Sequence, residues 1–126
     1  MVAYSFRSRF IQPIEVGRKR QTIRNDRKRH ARPGEQVQLY TAMRTKQCRL
    51  IARSICFAVT PIRLEFESPR ITVGDRLPIV ARDDRDSFAW RDGFEDWDDM
   101  AAFWKAEHET LDVFSGVLIE WTPPHG

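Results

Sequence analysis

Hydrophobic and polar positions alternate along much of this chain, and each alternating stretch predicts a half-buried strand. Val2-Ala3-Tyr4-Ser5-Phe6 is the first. Phe10, Ile11, Ile14 and Val16 then keep a loose helical spacing that stops at Gly17, predicting a short helix with a glycine C-cap. Arg18-Lys19-Arg20 begins a charged turn that becomes a strand by Arg24, with Ile23 inward and Thr22 and Arg24 together on the outward face. Asn25 to Arg32 is polar and basic, a surface loop, and Pro33-Gly34 is a turn signal. Gln36 to Thr41 alternates strictly. After the basic connection Arg44-Thr45-Lys46, Gln47 to Val59 reads as a long strand ended by Pro61, and Ile62 to Glu67 as a separate one.

Beyond Glu67 the pattern thins. Ser68 to Asp75 is a connection with a brief strand at Arg70 to Val73, Arg76 to Val80 leaves its conformation open, and Ala81 to Arg91 mixes charges without period and reads as a loop. The clearest helix follows, with Trp97, Met100, Ala101, Trp104 and His108 on one apolar face. Glu95, Asp96, Asp98 and Asp99 crowd its first turn, where carboxylates favour the positive end of the helix dipole. Phe114 to Trp121 is a closing strand and Thr122 to Gly126 a frayed tail. Five to six strands with two helices predict an α+β chain, a small mixed or antiparallel β-barrel forming one domain over residues 1–126.

Composition supports a packed core: of 126 residues 41% are hydrophobic and 11% aromatic, which excludes a disordered basic protein. The longest apolar run, Ile55 to Val59, is far short of the roughly 20 residues that span a bilayer. Arg7 and Arg9 interrupt any apolar leader, so no membrane partner and a cytoplasmic location are expected. Cys48 and Cys56, eight residues apart in one predicted strand, would lie roughly 26 Å from each other, beyond disulfide reach. Both are expected to be small apolar fillers. His30, His108 and His125 are scattered, so neither a metal nor another cofactor is expected.

Charge changes the picture more. The net charge is a mild +3, yet Met1–Arg63 holds 15 basic and 3 acidic residues while Leu64–Gly126 holds 6 basic and 15 acidic. Such a split suits a nucleic-acid surface or two halves that attract each other. Arg27, Lys28, Arg29, His30 and Arg32 form one basic run, and Arg44, Lys46, Arg49 and Arg53 a second group, with Tyr40 between them as a stacking candidate. A solvated face is the alternative reading of both. Trp97, Trp104 and Trp121 read as core and His108 as a structural histidine, whereas Trp90 is a candidate for stacking on a base. Asp83, Asp84 and Asp86 lack the spacing of a calcium loop and read as solvated.

The stretch Gly17-Arg18-Lys19-Arg20-Gln21-Thr22-Ile23-Arg24 carries the most chemistry. It resembles the Gly-x-Lys-x-x-Thr-x-Arg element of the ASCH domain family, a branch of the PUA-like β-barrels. Pro33-Gly34-Glu35 resembles that family's Pro-Gly-Asp turn, Asp92-Gly93-Phe94 its acid-Gly-Phe lead into a helix, and Phe114 to Trp121 its closing strand. The resemblance implies a cleft around Lys19, Thr22 and Arg24 that meets RNA or a modified nucleoside, with Gly17, Arg18, Arg20, Arg27, Lys28, Arg29, Tyr40, Arg44, Lys46 and Trp90 as further binding candidates. In small bacterial members that hydrolyse N4-acetylcytidine, a lysine, a threonine and a glutamate are catalytic. Lys19 and Thr22 match the first two, and Asp92 falls near the glutamate's place.

Physical chemistry supplies the conditions for that role. A threonine hydroxyl is inert until a base takes its proton, and a lysine serves as that base only where burial and cationic neighbours, here Arg18, Arg20 and Arg24, lower its pKa. Asp92 would orient the lysine or protonate a leaving amine. Lys19 and Thr22 are three apart, so the turn must bend if they are to face one site. Otherwise Thr22 is an ordinary strand hydroxyl. The leading expectation is binding of RNA or a modified nucleoside; an amidohydrolase acting on N4-acylated cytidine is the alternative and a ribonuclease the third. Partner identity and oligomeric state stay open, and the charge split reads as one basic mouth with Asp92 as its single acidic contribution.

Overall fold

The computed structural model describes residues 1–27, 29–107 and 112–123. Strand β1 (Val2–Phe6) leads through a 3-10 turn at Ser8–Phe10 into the short helix α1 (Ile11–Glu15), and β2 (Gln21–Arg24) follows. Then come β3 (Gln36–Thr41), the 17-residue β4 (Arg49–Glu65) and β5 (Arg70–Val73). Two helices, α2 (Arg82–Arg91) and α3 (Trp97–Glu107), precede β6 (Val113–Trp121).

The chain is thus a small mixed α+β protein whose six strands make one sheet in the order β1-β3-β4-β6-β2, with β5 also on β4. β1 runs parallel to β3 and every other pairing is antiparallel. Among the described residues no ladder joins β1 to β2, so the sheet is open rather than the closed barrel of the sequence expectation. Inward residues of the strands, among them Val37, Leu39, Leu64 and Leu118, share one hydrophobic core with the buried residues of α2 and α3. Trp97 and Trp104 belong to this core, and Trp121 is completely buried. None of the described helices is long and apolar enough to cross a membrane.

Three expectations need correction. Pro61 does not end a strand: β4 runs straight through it, and the predicted strand Ile62 to Glu67 is its second half. The reason lies in β4's partners. One edge pairs with β3 up to Ile55 and with β5 from Ile62, so Pro61 falls in the interval between. Its carbonyl accepts from the Gly74 amide on that edge, where the N–H that proline lacks has no ladder to join.

Ala81 to Arg91 is not a loop but contains α2, which gives three helices among the described residues instead of two. Arg85, Phe88 and Ala89 are its buried face, and the apolar period was hidden because an arginine fills one slot. Arg85 Nε donates to the Val80 carbonyl and the guanidinium lies 5.3 Å from the Trp97 ring centroid. Asp83 and Asp84 occupy the first turn of α2; Asp86, expected to be solvated, accepts from the Trp97 amide at the start of α3.

Cys48 is exposed rather than a filler, Cys56 is buried, and both are free. Lys28, His108, His125 and the end of the predicted tail lie outside the described residues.

Candidate functional site

The local fold that delivers Lys19 begins at the end of α1. Gly17 sits at φ +79°, a region other residues reach only with strain, and its amide donates to the Ile14 carbonyl. The amides of Arg18 and Lys19 both donate to Pro13 O, which turns the chain back on itself. A side chain at Gly17 would meet nothing within 4 Å. The left-handed backbone at this helix C-cap is what calls for glycine.

Lys19 is then carried into the protein, 2% exposed. Its Nζ donates to two backbone carbonyls, Gln21 O at 2.8 Å and Asp92 O at 2.6 Å, and lies 4.8 Å from the Phe10 ring centroid. The Asp92 carboxylate stands 3.9 Å from the same nitrogen and accepts from the Gln21 side-chain amide at 3.2 Å. Asp92 reaches this place because it ends α2, and Gly93, at φ +98°, lets the chain pass directly over Lys19. A Cβ on Gly93 would lie 2.8 Å from Lys19 Cδ.

Burial lowers the Lys19 pKa from 10.5 to about 8; Asp92 opposes the shift, while Arg24, Arg18 and Arg9 reinforce it. Arg9 thus takes the part the sequence reading gave to Arg20, which is exposed. Burial likewise raises the Asp92 pKa, outweighing the pull of Lys19. Near pH 7 a larger share of Lys19 is therefore neutral than of an exposed lysine. Between about 8 and 10.5 the unfolded chain holds more proton on Lys19 than the folded one, so stability rises with pH across that window. The cost of the buried ammonium is complete at pH 7. Denaturant unfolding should therefore show the wild type gaining on a Lys19→Met/Asp92→Leu chain from pH 8 to pH 10; a constant gap would mean that Lys19 titrates normally.

Thr22 and Arg24 share a face of β2, as the alternation predicts, but the face is the wall of a cleft and Thr22 is buried. Arg24 Nε donates to Thr22 Oγ1 at 3.2 Å and Nη2 to the Ser5 carbonyl at 2.8 Å. Lys19, Thr22, Arg24 and Asp92 all line this one cleft, which has a volume of about 270 Å³. Its remaining wall is largely aromatic: Phe6, Phe10, Phe94, Phe103 and Trp104. Phe10 packs edge-on against Phe94 and Phe103, with centroids 5.3 and 5.8 Å apart. At the rim Arg7 pairs with Glu107, so the cleft has a second acidic contribution beside Asp92.

Other sequence candidates lie elsewhere. Arg18 is occupied in holding the α2–α3 turn, donating to Trp90 O at 2.7 Å and Phe94 O at 3.0 Å, with its guanidinium 3.8 Å from the Trp90 ring centroid. Trp90 is half exposed on α2, outside the cleft lining. Tyr40 stands beside Ser5 on the β1–β3 ladder and donates to Gln38 Oε1. Arg44 and Lys46 are exposed on the turn after β3. Arg29 is paired with Glu35, whose carboxyl it holds down at about 2. Arg27 lies 5.0 Å from the Tyr4 ring centroid and is the member of its run next to Arg24.

The sequence reading missed the aromatic wall, the rim pair Arg7–Glu107 and Gln21. Only the crowding of Phe6, Arg7, Arg9 and Phe10 just upstream of the Lys19 motif hinted at them. Arg7–Glu107, Arg9–Asp99 and Lys19–Asp92 also join the basic and acidic halves, so part of the charge split is self-attraction. Among the described residues no three His, Cys, Asp or Glu side chains converge as a metal site. Comparison with family models, curated proteins and solved structures returns no match, so the functional reading rests on the cleft's own residues.

Proposed function

We propose that the chain is an ASCH-like domain, its open sheet a counterpart of the PUA-like barrel, that binds a modified nucleoside or the terminal base of an RNA in the cleft around Lys19, Thr22, Arg24 and Asp92. The observation that carries this reading is the convergence of those four polar groups against an aromatic wall in a space suited to one base. Ring faces hold a flat heterocycle without regard to its edge, and the polar groups read that edge. The basic residues nearest the opening, Arg27 above all, would guide a phosphate chain.

Calorimetric titration with cytidine and N4-acetylcytidine tests it. Saturable binding is expected, weakened about tenfold by Phe103→Ala because stacking is worth roughly 1–3 kcal/mol per base. No heat at millimolar nucleoside, or an affinity indifferent to Phe103, would refute it.

The depressed Lys19 pKa favours a second reading, hydrolysis of the N4-acyl group. Neutral Lys19 would take the proton of Thr22 as its oxygen attacks the acyl carbon; the acyl group passes to Thr22, cytidine leaves with a proton, and water then releases the acid. Chromatography of the products separates the two readings, since a binder leaves N4-acetylcytidine intact. Turnover that rises with pH toward about 8 and vanishes in both Lys19→Met and Thr22→Val would make the protein an amidohydrolase. Neither a histidine pair nor a histidine–lysine pair lines the cleft, so a ribonuclease has no support among the described residues.

A further inference from the structure

The charges facing the cleft do not cancel. Lys19 has Asp92, and Arg7 at the rim has Glu107. Arg24 has neither: among the described residues no carboxylate lies within 4.0 Å of its guanidinium. What it touches is neutral. Nε and Nη2 donate to the Thr22 hydroxyl and the Ser5 carbonyl, and the plane lies 4.9 Å from the Phe6 ring centroid and 5.4 Å from that of Tyr4. Nη1 has no partner among the described residues, and it is not sealed from the open space.

We propose that the ligand carries one anionic oxyacid group, and that Arg24 Nη1 receives it. The occupant is then a nucleotide bearing a phosphate rather than a free nucleoside; this step rests on the nucleoside reading above. Two fixed hydrogen bonds and two ring faces orient the guanidinium before anything binds, so its remaining donors await the anion at small entropic cost. A hydrogen bond between ions is stronger than one between neutral groups. Burial depresses the Arg24 pKa, and the pull of Tyr4 and of the more distant Asp92 does not offset it. Arg7 differs in that Glu107 already stands beside it as a counter-ion.

Calorimetry with five probes decides the matter: cytidine, cytidine 5′-monophosphate, cytidine 3′-monophosphate, inorganic phosphate and benzoate. One of the two monophosphates is expected to bind wild type at least tenfold more tightly than cytidine, with the advantage shrinking as salt is raised. In Arg24→Gln it should fall to within about twofold. Arg24→Lys, which keeps the charge and loses the fork, should fall between, and it carries the test should Arg24→Gln fail to fold.

Equal binding of cytidine and both monophosphates would overturn the anion inference and leave the nucleoside reading standing. Binding of phosphate or benzoate that depends on Arg24, with no nucleoside or nucleotide bound, would do the reverse, and benzoate above phosphate would make the group a carboxylate. Loss of the monophosphate preference in Arg7→Gln but not in Arg24→Gln would overturn the assignment to Arg24.

Discussion

Asp92→Ala is expected to lower the unfolding free energy by about 3–5 kcal/mol at pH 7, the cost of removing one member of a buried ion pair. The magnitude comes less from the attraction lost than from the charge left behind. Lys19 Nζ keeps its two carbonyl acceptors in the variant, but no anion stands near its ammonium. Asp92 is the influence that holds the Lys19 pKa up, so its removal lowers that pKa below about 8. The penalty is therefore complete only at pH values where the lysine is still charged, and it shrinks as pH rises and the amine sheds its proton.

Urea unfolding at pH 6, 7 and 9 checks both statements. A loss below 1 kcal/mol that does not change with pH would mean that the pair is better solvated than its burial implies. Lys19→Met/Asp92→Leu should recover most of the stability, because well-packed apolar replacements of a buried pair are often neutral or better. It should remain inactive in any binding or turnover assay that depends on the cleft. The pair's effect on stability can thus be measured apart from its place in the proposed site.

Gly116→Ala carries the second large effect, a loss of roughly 2–4 kcal/mol by overpacking. An added Cβ would stand 2.3 Å from the Arg24 carbonyl oxygen and 2.8 Å from the Phe114 ring. The first contact decides the outcome, because a backbone carbonyl in a ladder cannot rotate aside as a side chain can. Arg24 is opposite Val117 in the β2–β6 register, so relief requires the end of β2 to peel away from β6. Hydrogen exchange should show β2 amides losing protection while those of β3 and β4 keep theirs, and ligand affinity should fall in step. By contrast, Gly17→Ala has open space around it and should cost only about 1 kcal/mol for its left-handed backbone. A Gly116→Ala protein within 0.5 kcal/mol of wild type would show that β2 yields easily.

How far the sequence spoke depended on whether a pattern was local. β1, β3 and α3 were legible because each buries one face, which leaves alternation or helical period in the residues themselves, and β6 because Val117-Leu118-Ile119 is an apolar run with Leu118 and Ile119 both buried. α2 was not, because Arg85 fills an apolar position through its carbon stem and its stack on Trp97. Pro61 misled for a different reason: whether a proline breaks a strand depends on which edge its nitrogen faces, a property of the partners and not of the run.

The site divides in the same way. Lys19, Thr22 and Arg24 sit close enough in sequence for one motif to hold them, and the acid-Gly-Phe turn supplied Asp92 from the other half. The aromatic wall comes from β1, the turn before α1, the α2–α3 connection and α3, so only the fold assembles it. Trp104 shows the limit well. Helical spacing placed it in the core, and the same ring also borders the cleft. Arg18 and Trp90, each attractive alone as a ligand contact, turn out to occupy each other.

Among the described residues the strand that bears Thr22 and Arg24 has one ladder partner, β6, in which Glu120 faces Gln21. On the ribosome, β1, β3 and β4 can zip together while β2 is still a tether with nothing to pair with. Only when β6 emerges and docks along β4 does β2 gain a place to lie. β2, and with it the cleft wall made by Thr22 and Arg24, is therefore placed by β6 rather than by the strands that precede it.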